Sequence, residues 1–324
     1  MKTTGYAIAH FGVDLCCALV LFRHFPGHPQ WMLALLLYNF CAFALQLPFG
    51  ILADKLNRNH RLAATGMLLV AAAFLCTEQM PLSVILAGCG NGLFHVGGGI
   101  EVLNQSVHKA FRLGLFVAPG ALGLFLGTRW GKSALLLWPA PLMLAVASIL
   151  LFCLGRRITG NAPPLLPKLM PGLWALAGVV VLRSYLGFCM RFSWNDGFFT
   201  GLLIAAVTVA GKIAGGFLLD RLGYLPTALC SLLPAAVCLL FLQQMVPALL
   251  GLFFFQMTMP VTLWAAARCC PGAKGFSFGL LTFALFLGFL PAILGLPTPG
   301  NGTFLAGGIL LSLLLLVLGR KCAL

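Results

Sequence analysis

Apolar runs of about 16–24 residues follow one another from residue 4 to residue 319, joined by short connections. A run of about 18 or more such residues crosses a bilayer as a helix, because each backbone N–H and C=O then finds its partner within the segment. Transmembrane barrel strands would instead alternate over about 10 residues, and no such alternation is present. A chain that is 61% hydrophobic and 8% charged also has too few polar residues to cover a water-facing surface. The runs predict an all-α polytopic membrane protein with twelve transmembrane helices, at 4–22, 31–53, 62–77, 81–104, 113–128, 134–155, 172–190, 197–219, 225–242, 246–265, 276–295 and 302–319. At about 20 residues each they use roughly 240 positions, which leaves no room for a soluble domain. The first run lacks a small-residue cleavage site and is expected to be a retained helix.

The formal net charge of +14 is set by topology. Fourteen of the twenty Lys and Arg residues fall at the termini or in even-numbered turns, while Arg23, Arg129, Lys132 and Arg191 fall in odd-numbered turns. By the positive-inside rule both termini face the cytoplasm, and the expected location is the inner membrane of a bacterium, with membrane lipid around the chain and no nucleic acid as partner. The twelve cysteines show no C-x-x-C or similar ligand spacing and lie almost entirely within the runs, where Cys acts as a small hydrophobe. Neither a metal nor a cofactor is expected.

The longest connection, 156–171, contains Arg156, Arg157, Lys168 and four prolines, and it divides six runs from six. The expected organisation is a bundle over 1–155, a cytoplasmic linker over 156–171 and a second bundle over 172–324. A short phrase supports this duplication. Residues 50–56 read GILADKL and 216–222 read GFLLDRL, in the second run of each half. Both fit G-x-L-x-D-[KR]-L, in a chain with only six acidic residues. Asp54 and Asp220 then sit at helix C-termini, where a carboxylate opposes the macrodipole by about 0.3–1 kcal/mol. Compensation must come from Lys55, Arg58 or Arg221, or from the N-terminus of a neighbouring helix. Gly50 and Gly216 remove side-chain bulk and allow a close helix approach. An aspartate whose partner lies on a movable neighbour is a conformational latch. A bland alternative is an Asp that ends a helix at the water line.

These phrases resemble the loop motif of the major facilitator superfamily, and the resemblance covers the whole chain: twelve spans, cytoplasmic termini, a central linker and both motif copies. It implies two pseudo-symmetric six-helix bundles working by alternating access, with each aspartate contacting a helix of the other half. The first copy has Asn57 where glycine is usual, and the second has Gly223. HFGVD (10–14), GLFH (92–95) and LRSY (182–185) are similar to signature positions of the fosmidomycin-resistance-like branch, with Val96 where proline usually follows the histidine. Ala118-Pro119-Gly120, Gly123 and Gly127 resemble a partial antiporter motif.

Ionisable groups inside a bilayer cost about 2.5–3.5 kcal/mol at a helix centre, so each needs a partner, a cavity or a function. His10 and Asp14 stand at i, i+4 in the first run, and Asn91 and His95 repeat that spacing in the fourth. A carboxylate beside an imidazole can load and release a proton near neutral pH, so Asp14, His95 and His10 are candidates for proton coupling. Asp14 with His10 as a merely satisfied pair is the alternative. Arg183, deep in the seventh run, either binds an anionic substrate group or bridges to Asp14 or Glu101. Lys109 or Arg112 is expected to satisfy Glu101, and Lys212 to snorkel. Asn91, Tyr185, Gln46, Gln256 and Trp264 complete the candidate substrate contacts.

The function expected from all this is a monomeric secondary transporter, exchanging protons for a small-molecule substrate and exporting an organic anion or amphiphile. Uptake of a metabolite is the alternative within that class. GFSFG at 275–279 matches G-x-S-x-G, but Ser277 opens an apolar run and no histidine follows His108, which disfavours an intramembrane hydrolase. A receptor or scaffold would need neither mid-membrane charges nor a doubled latch, so the chain is expected not to be an enzyme and to move its substrate.

Overall fold

The computed structural model describes residues 3–107, 109–130, 137–155 and 171–322. Among these the protein is helical, with no strand. Twelve apolar helices follow in order: α1 Thr3–His24, α2 Trp31–Leu56, α3 Asn59–Cys76, α4 Met80–Gln105, α5 Phe111–Trp130, α6 Pro139–Leu154, α7 Pro171–Cys189, α8 Phe198–Leu222, α9 Tyr224–Leu239, α10 Met245–Cys269, α11 Lys274–Ile293 and α12 Gly302–Gly319. Ten are long and apolar enough to cross a membrane, and α6 and α9 are shorter. Large apolar side chains such as Phe199, Leu75 and Met143 stay exposed, which suits a lipid solvent. The expected linker over 156–171 lies outside the described residues, except Pro171, which opens α7.

Three of the helices are interrupted, each beside a proline. Pro48 removes the N–H that would close onto Ala44, and α2 widens into a π turn over Phe40–Ala44. Pro119 does the same to Leu115, and α5 breaks at Ala118 between segments Phe111–Val117 and Pro119–Trp130. Pro260 frees the carbonyl of Gln256, and α10 breaks at Met257. Kinks need such a cause, and those in α5 and α10 place backbone carbonyls within reach of side chains from other helices.

The two copies of the sequence phrase end alike. Asn57 caps α2 with φ 47°, and Gly223 caps α8 with φ 81°. Both lie in the left-handed region, which glycine enters freely and asparagine tolerates better than other residues. The departure at Asn57 therefore keeps a positive φ, while ψ differs, 43° at Asn57 and −178° at Gly223.

The chain divides into two compact units. One comprises the described residues of Met1–Gln105, Pro119–Leu165 and Gly272–Phe283, and the other those of Ser106–Ala118, Leu166–Pro271 and Ala284–Leu324. These follow the two halves of the sequence except that the start of α5 and the start of α11 change places. In the first unit α1 is a core helix, burying Val13, Cys16, Leu19 and Val20 completely, alongside buried Met67 of α3 and Phe94 of α4. In the second, Leu173, Leu176 and Leu186 of α7, Leu232 and Leu239 of α9, and Ile309 and Leu316 of α12 form the core. Tyr224 at the start of α9 donates its hydroxyl to the Leu316 carbonyl at 2.9 Å.

Candidate functional site

Within the first unit, α1 and α4 bring four polar side chains together. One turn of helix places His10 and Asp14 on one face of α1, and another places Asn91 and His95 on one face of α4. His10 Nε2 lies 3.2 Å from Asp14 Oδ2, His95 Nε2 lies 3.9 Å from Asp14 Oδ1, and the two Nε2 atoms are 2.8 Å apart. The imidazole rings meet edge to face with centroids 4.4 Å apart. Asn91 Nδ2 donates to Asp14 Oδ1 at 3.0 Å. His10 is buried, and the side chains of Asp14 and His95 retain 20% and 13% exposure. Among the described residues the two histidines are the only basic groups within 4.0 Å of the Asp14 carboxylate.

The hydrogen-bond network assigns the protons. His95 Nδ1 is 2.9 Å from the Asn91 carbonyl oxygen, which can only accept. Nδ1 therefore carries hydrogen, and a neutral His95 acts as an acceptor at Nε2, toward His10. That acceptor and both Asp14 oxygens converge, and the Nε2–H of His10 is the hydrogen that lies between them. Two imidazoles and one carboxylate thus share one polar cluster, which the Asn91 amide also enters. Asn91, expected among the substrate contacts, holds both groups here: its side-chain Nδ2 donates to the carboxylate and its main-chain carbonyl accepts from the imidazole.

Gly120 completes this arrangement and was not foreseen from sequence, where it was legible only as part of the α5 bend. A Cβ there would run into both Asp14 Oδ2 and His10 Nε2. Further along α5, Gly123 and Gly127 lie against the carbonyls of Phe11 and Leu15 and hold the helix close to α1. Gly120→Ala is expected to separate the histidine from the carboxylate. Overpacking costs about 1–3 kcal/mol, so a thermal melt should show a lowered midpoint, and vesicle transport should fall at least about tenfold.

In the second unit Arg183 of α7 reaches the broken segment of α10. Its guanidinium donates to Thr258 Oγ1 at 2.6 Å, to Gln256 Oε1 at 2.6 Å and to the Phe255 carbonyl at 3.4 Å. It also lies 5.4 Å above the Phe255 ring. Among the described residues these hydrogen-bond partners are all neutral, so the charge is held in place without being cancelled. The expected Gln256 is present in this cluster, and Thr258 joins it. Trp264 instead stacks under Arg268 at 4.7 Å. Tyr185 donates to the Pro297 carbonyl at 2.9 Å. Gln46, in the first unit, is fully buried and turns back to the Ala42 carbonyl beside the π turn.

Both aspartates of the repeated phrase accept two backbone N–H groups at the start of another helix. Asp54 takes Gly275 N and Phe276 N, each at 2.8 Å, at the N-terminus of α11. Asp220 takes Ala110 N at 2.6 Å and Phe111 N at 2.9 Å, at the start of α5. An N-terminus offers unpaired N–H groups and a positive dipole end, so each carboxylate finds the compensation its own helix denies it. Gly50 and Gly275 touch backbone to backbone, and a Cβ on either would strike the other's carbonyl. Gly216 faces Ala110 and Phe111, which a Cβ would meet at 2.8 and 3.0 Å. Arg58 is exposed, and Arg221 lies 5.4 Å over the Phe217 ring.

Other sequence expectations change. Glu101 is buried and is hydrogen-bonded by Asn59 at the start of α3, where Lys109 or Arg112 had been expected. Lys212 of α8 donates to the Val117 carbonyl at 3.1 Å, satisfying a terminal carbonyl at the α5 break, where snorkelling had been expected. Ser277 is buried and donates to the Lys274 carbonyl within its own helical turn.

No family model and no curated protein sequence matches the chain. Solved structures do. The human organic anion transporter MFSD10 is similar over 98% of this chain and 100% of its own, with 16% identity and a TM-score of 0.70. The E. coli fucose:proton symporter is similar over 99% and 98%, with 13% identity and a TM-score of 0.65. A bacterial homologue of the iron transporter ferroportin, in an outward-facing state, is similar over 99% of both chains, with 16% identity and a TM-score of 0.68. The fold is that of the major facilitator transporters. Identity at this level fixes the architecture of twelve helices in two domains and leaves the fosmidomycin-resistance-like branch as a sequence resemblance.

Proposed function

We propose that the protein is a secondary active transporter of a bacterial inner membrane, with both termini cytoplasmic, which exports a small organic anion or amphiphile in exchange for protons. The observation that carries this is the cluster of His10, Asp14 and His95, where two imidazoles and one carboxylate meet between two apolar helices. Such a cluster gains from an added proton and releases it when its surroundings change, which is what coupling requires. Its fold neighbours include a fucose:proton symporter and an organic anion transporter, so both elements of the proposal occur on this architecture. The paired latches at Asp54 and Asp220 would stabilise one of two alternating states, since hydrogen bonds to helix N-termini are easily remade with water when helices part.

Arg183 is assigned to the anionic group of the substrate. Its neutral partners hold the guanidinium while leaving the charge to attract a carboxylate or phosphate-like group. A panel of organic anions, screened by thermal shift, should contain compounds that raise the melting midpoint of the wild type. Arg183→Gln is expected to weaken binding of those compounds by about 10- to 150-fold, from the roughly 1.5–3 kcal/mol of a charged hydrogen bond. In proteoliposomes with a trapped pH dye, adding such an anion should move protons. Proton movement no greater than in empty vesicles would overturn proton-coupled transport, and full affinity in Arg183→Gln would remove the anion assignment.

A further inference from the structure

The ligating atoms that converge between α1 and α4 have the separations and chemistry of a metal centre, and we propose that His10, Asp14 and His95 bind one divalent transition-metal ion of the zinc, cobalt or iron(II) class. This rests on the cluster being a cation site, as above, and adds a second kind of cation that it accepts.

The geometry comes first. His10 Nε2, His95 Nε2 and a carboxylate oxygen of Asp14 all lie within 4.8 Å of one another. Two ligands about 2.0–2.1 Å from a shared tetrahedral ion stand roughly 3.3 Å apart. The ring nitrogens are 2.8 Å apart, His10 Nε2 is 3.2 Å from Asp14 Oδ2 and His95 Nε2 is 3.9 Å from Asp14 Oδ1, so the distances lie on either side of that value and side-chain adjustment would seat an ion with either carboxylate oxygen as ligand. Two imidazoles and one carboxylate suit the borderline ions of the first transition row, whereas calcium and magnesium prefer all-oxygen sets.

The outer shell is already in place. A metal-binding histidine works best when its other ring nitrogen is held by a carbonyl or carboxylate, and His95 Nδ1 is held by the Asn91 carbonyl. The Asn91 amide orients the ligating carboxylate through Oδ1. One residue thus sets two of the three ligands. Gly120 packs its backbone against both ligands, since a Cβ there would strike Asp14 and His10, and so holds them on one side. The absence of a metal motif in the sequence is explained by the same facts: the ligands come from two helices and 85 residues separate the two histidines, so no short spacing marks them.

The test is cobalt titration of the full-length protein in detergent, purified without a histidine tag and treated with a chelator. The wild type should bind one Co²⁺ per chain with the visible ligand-field absorption of a low-coordinate nitrogen and oxygen site, and Zn²⁺ should displace it. Asp14→Asn and His95→Gln should each abolish saturable binding. Asn91→Ala, which leaves all three ligands, should weaken it by about 10- to 100-fold and serves in place of any ligand variant that does not fold. Absence of saturable cobalt or zinc binding by the wild type, or binding unchanged in all three variants, overturns the metal assignment. If the wild type binds no metal while Asp14→Asn still loses proton-driven transport, the cluster is a proton site alone. If metal binding follows the ligands while proton-driven transport survives in Asp14→Asn, the metal assignment stands and the proton coupling falls.

Discussion

Asp14→Asn is expected to abolish proton-driven transport, by at least about a hundredfold, in a protein that still folds. Asparagine keeps the shape of the side chain and can still accept from Asn91, whose amide is 3.0 Å from the carboxylate in the wild type. It cannot carry the carboxylate's negative charge or take up a proton in its place. Stability should not fall, because the substitution removes a half-buried carboxylate that no lysine or arginine neutralises within 4.0 Å among the described residues. The pair of measurements is uptake driven by an imposed pH gradient and a thermal melt. A variant that still transports at the wild-type rate under the gradient would remove Asp14 from the coupling mechanism.

The other large effect is expected at Gly50. In the wild type its backbone touches that of Gly275, and the same crossing brings Asp54 within 2.8 Å of two amides of α11. A methyl group at Gly50 is rigid and meets backbone, so no rotamer change relieves the contact. The two helices must separate, and both Asp54 hydrogen bonds lengthen past their useful range. Hydrogen bonds to a charged group contribute about 1.5–3 kcal/mol each, so Gly50→Ala should disfavour the latched arrangement by several kcal/mol and slow transport at least about tenfold. Gly216→Ala should be milder, because the nearest atoms that its Cβ meets lie at 2.8 and 3.0 Å and a small shift accommodates it. Hydrogen exchange at the Gly275 and Phe276 amides reads the effect directly, and equal exchange in wild type and Gly50→Ala would contradict it.

The membrane architecture was legible in the sequence because its cause is one-dimensional: about 20 apolar residues make a span wherever they occur. Short α6 and α9 were found in this way as readily as the long helices. The pairs His10–Asp14 and Asn91–His95 were legible too, since i, i+4 spacing fixes a face without any knowledge of neighbours. What the spacing could not reveal is which helices meet. Lipid is as apolar as a helix interface, so these helices carry little amphipathic signal to set their rotation. Trp264, Tyr185 and Gln46 therefore looked equivalent to Gln256 as cavity residues, yet they bond Arg268, Pro297 and Ala42 respectively. Asn91, read from sequence as a substrate contact, also holds Asp14 and His95, a contact that its spacing alone does not show. Gly120 was invisible as a site residue because its contribution is the side chain it lacks.

The central claim is that two bundles alternately expose a buried polar centre. It is tested most directly by pulsed spin-label distances between equivalent helices of the two halves, α2 and α8. One label pair goes at exposed Leu56 and Leu222, where the helices end, and the other at exposed Met32 and Phe199, where they begin. An unnatural amino acid should carry the labels, because the chain has twelve cysteines of its own. The distances are recorded in nanodiscs at high and low pH, with and without a ligand from the anion panel. The account predicts two populations in which one distance lengthens as the other shortens, with the balance shifted by pH in the wild type and insensitive to pH in Asp14→Asn. Distances that stay fixed at both ends under every condition would contradict it.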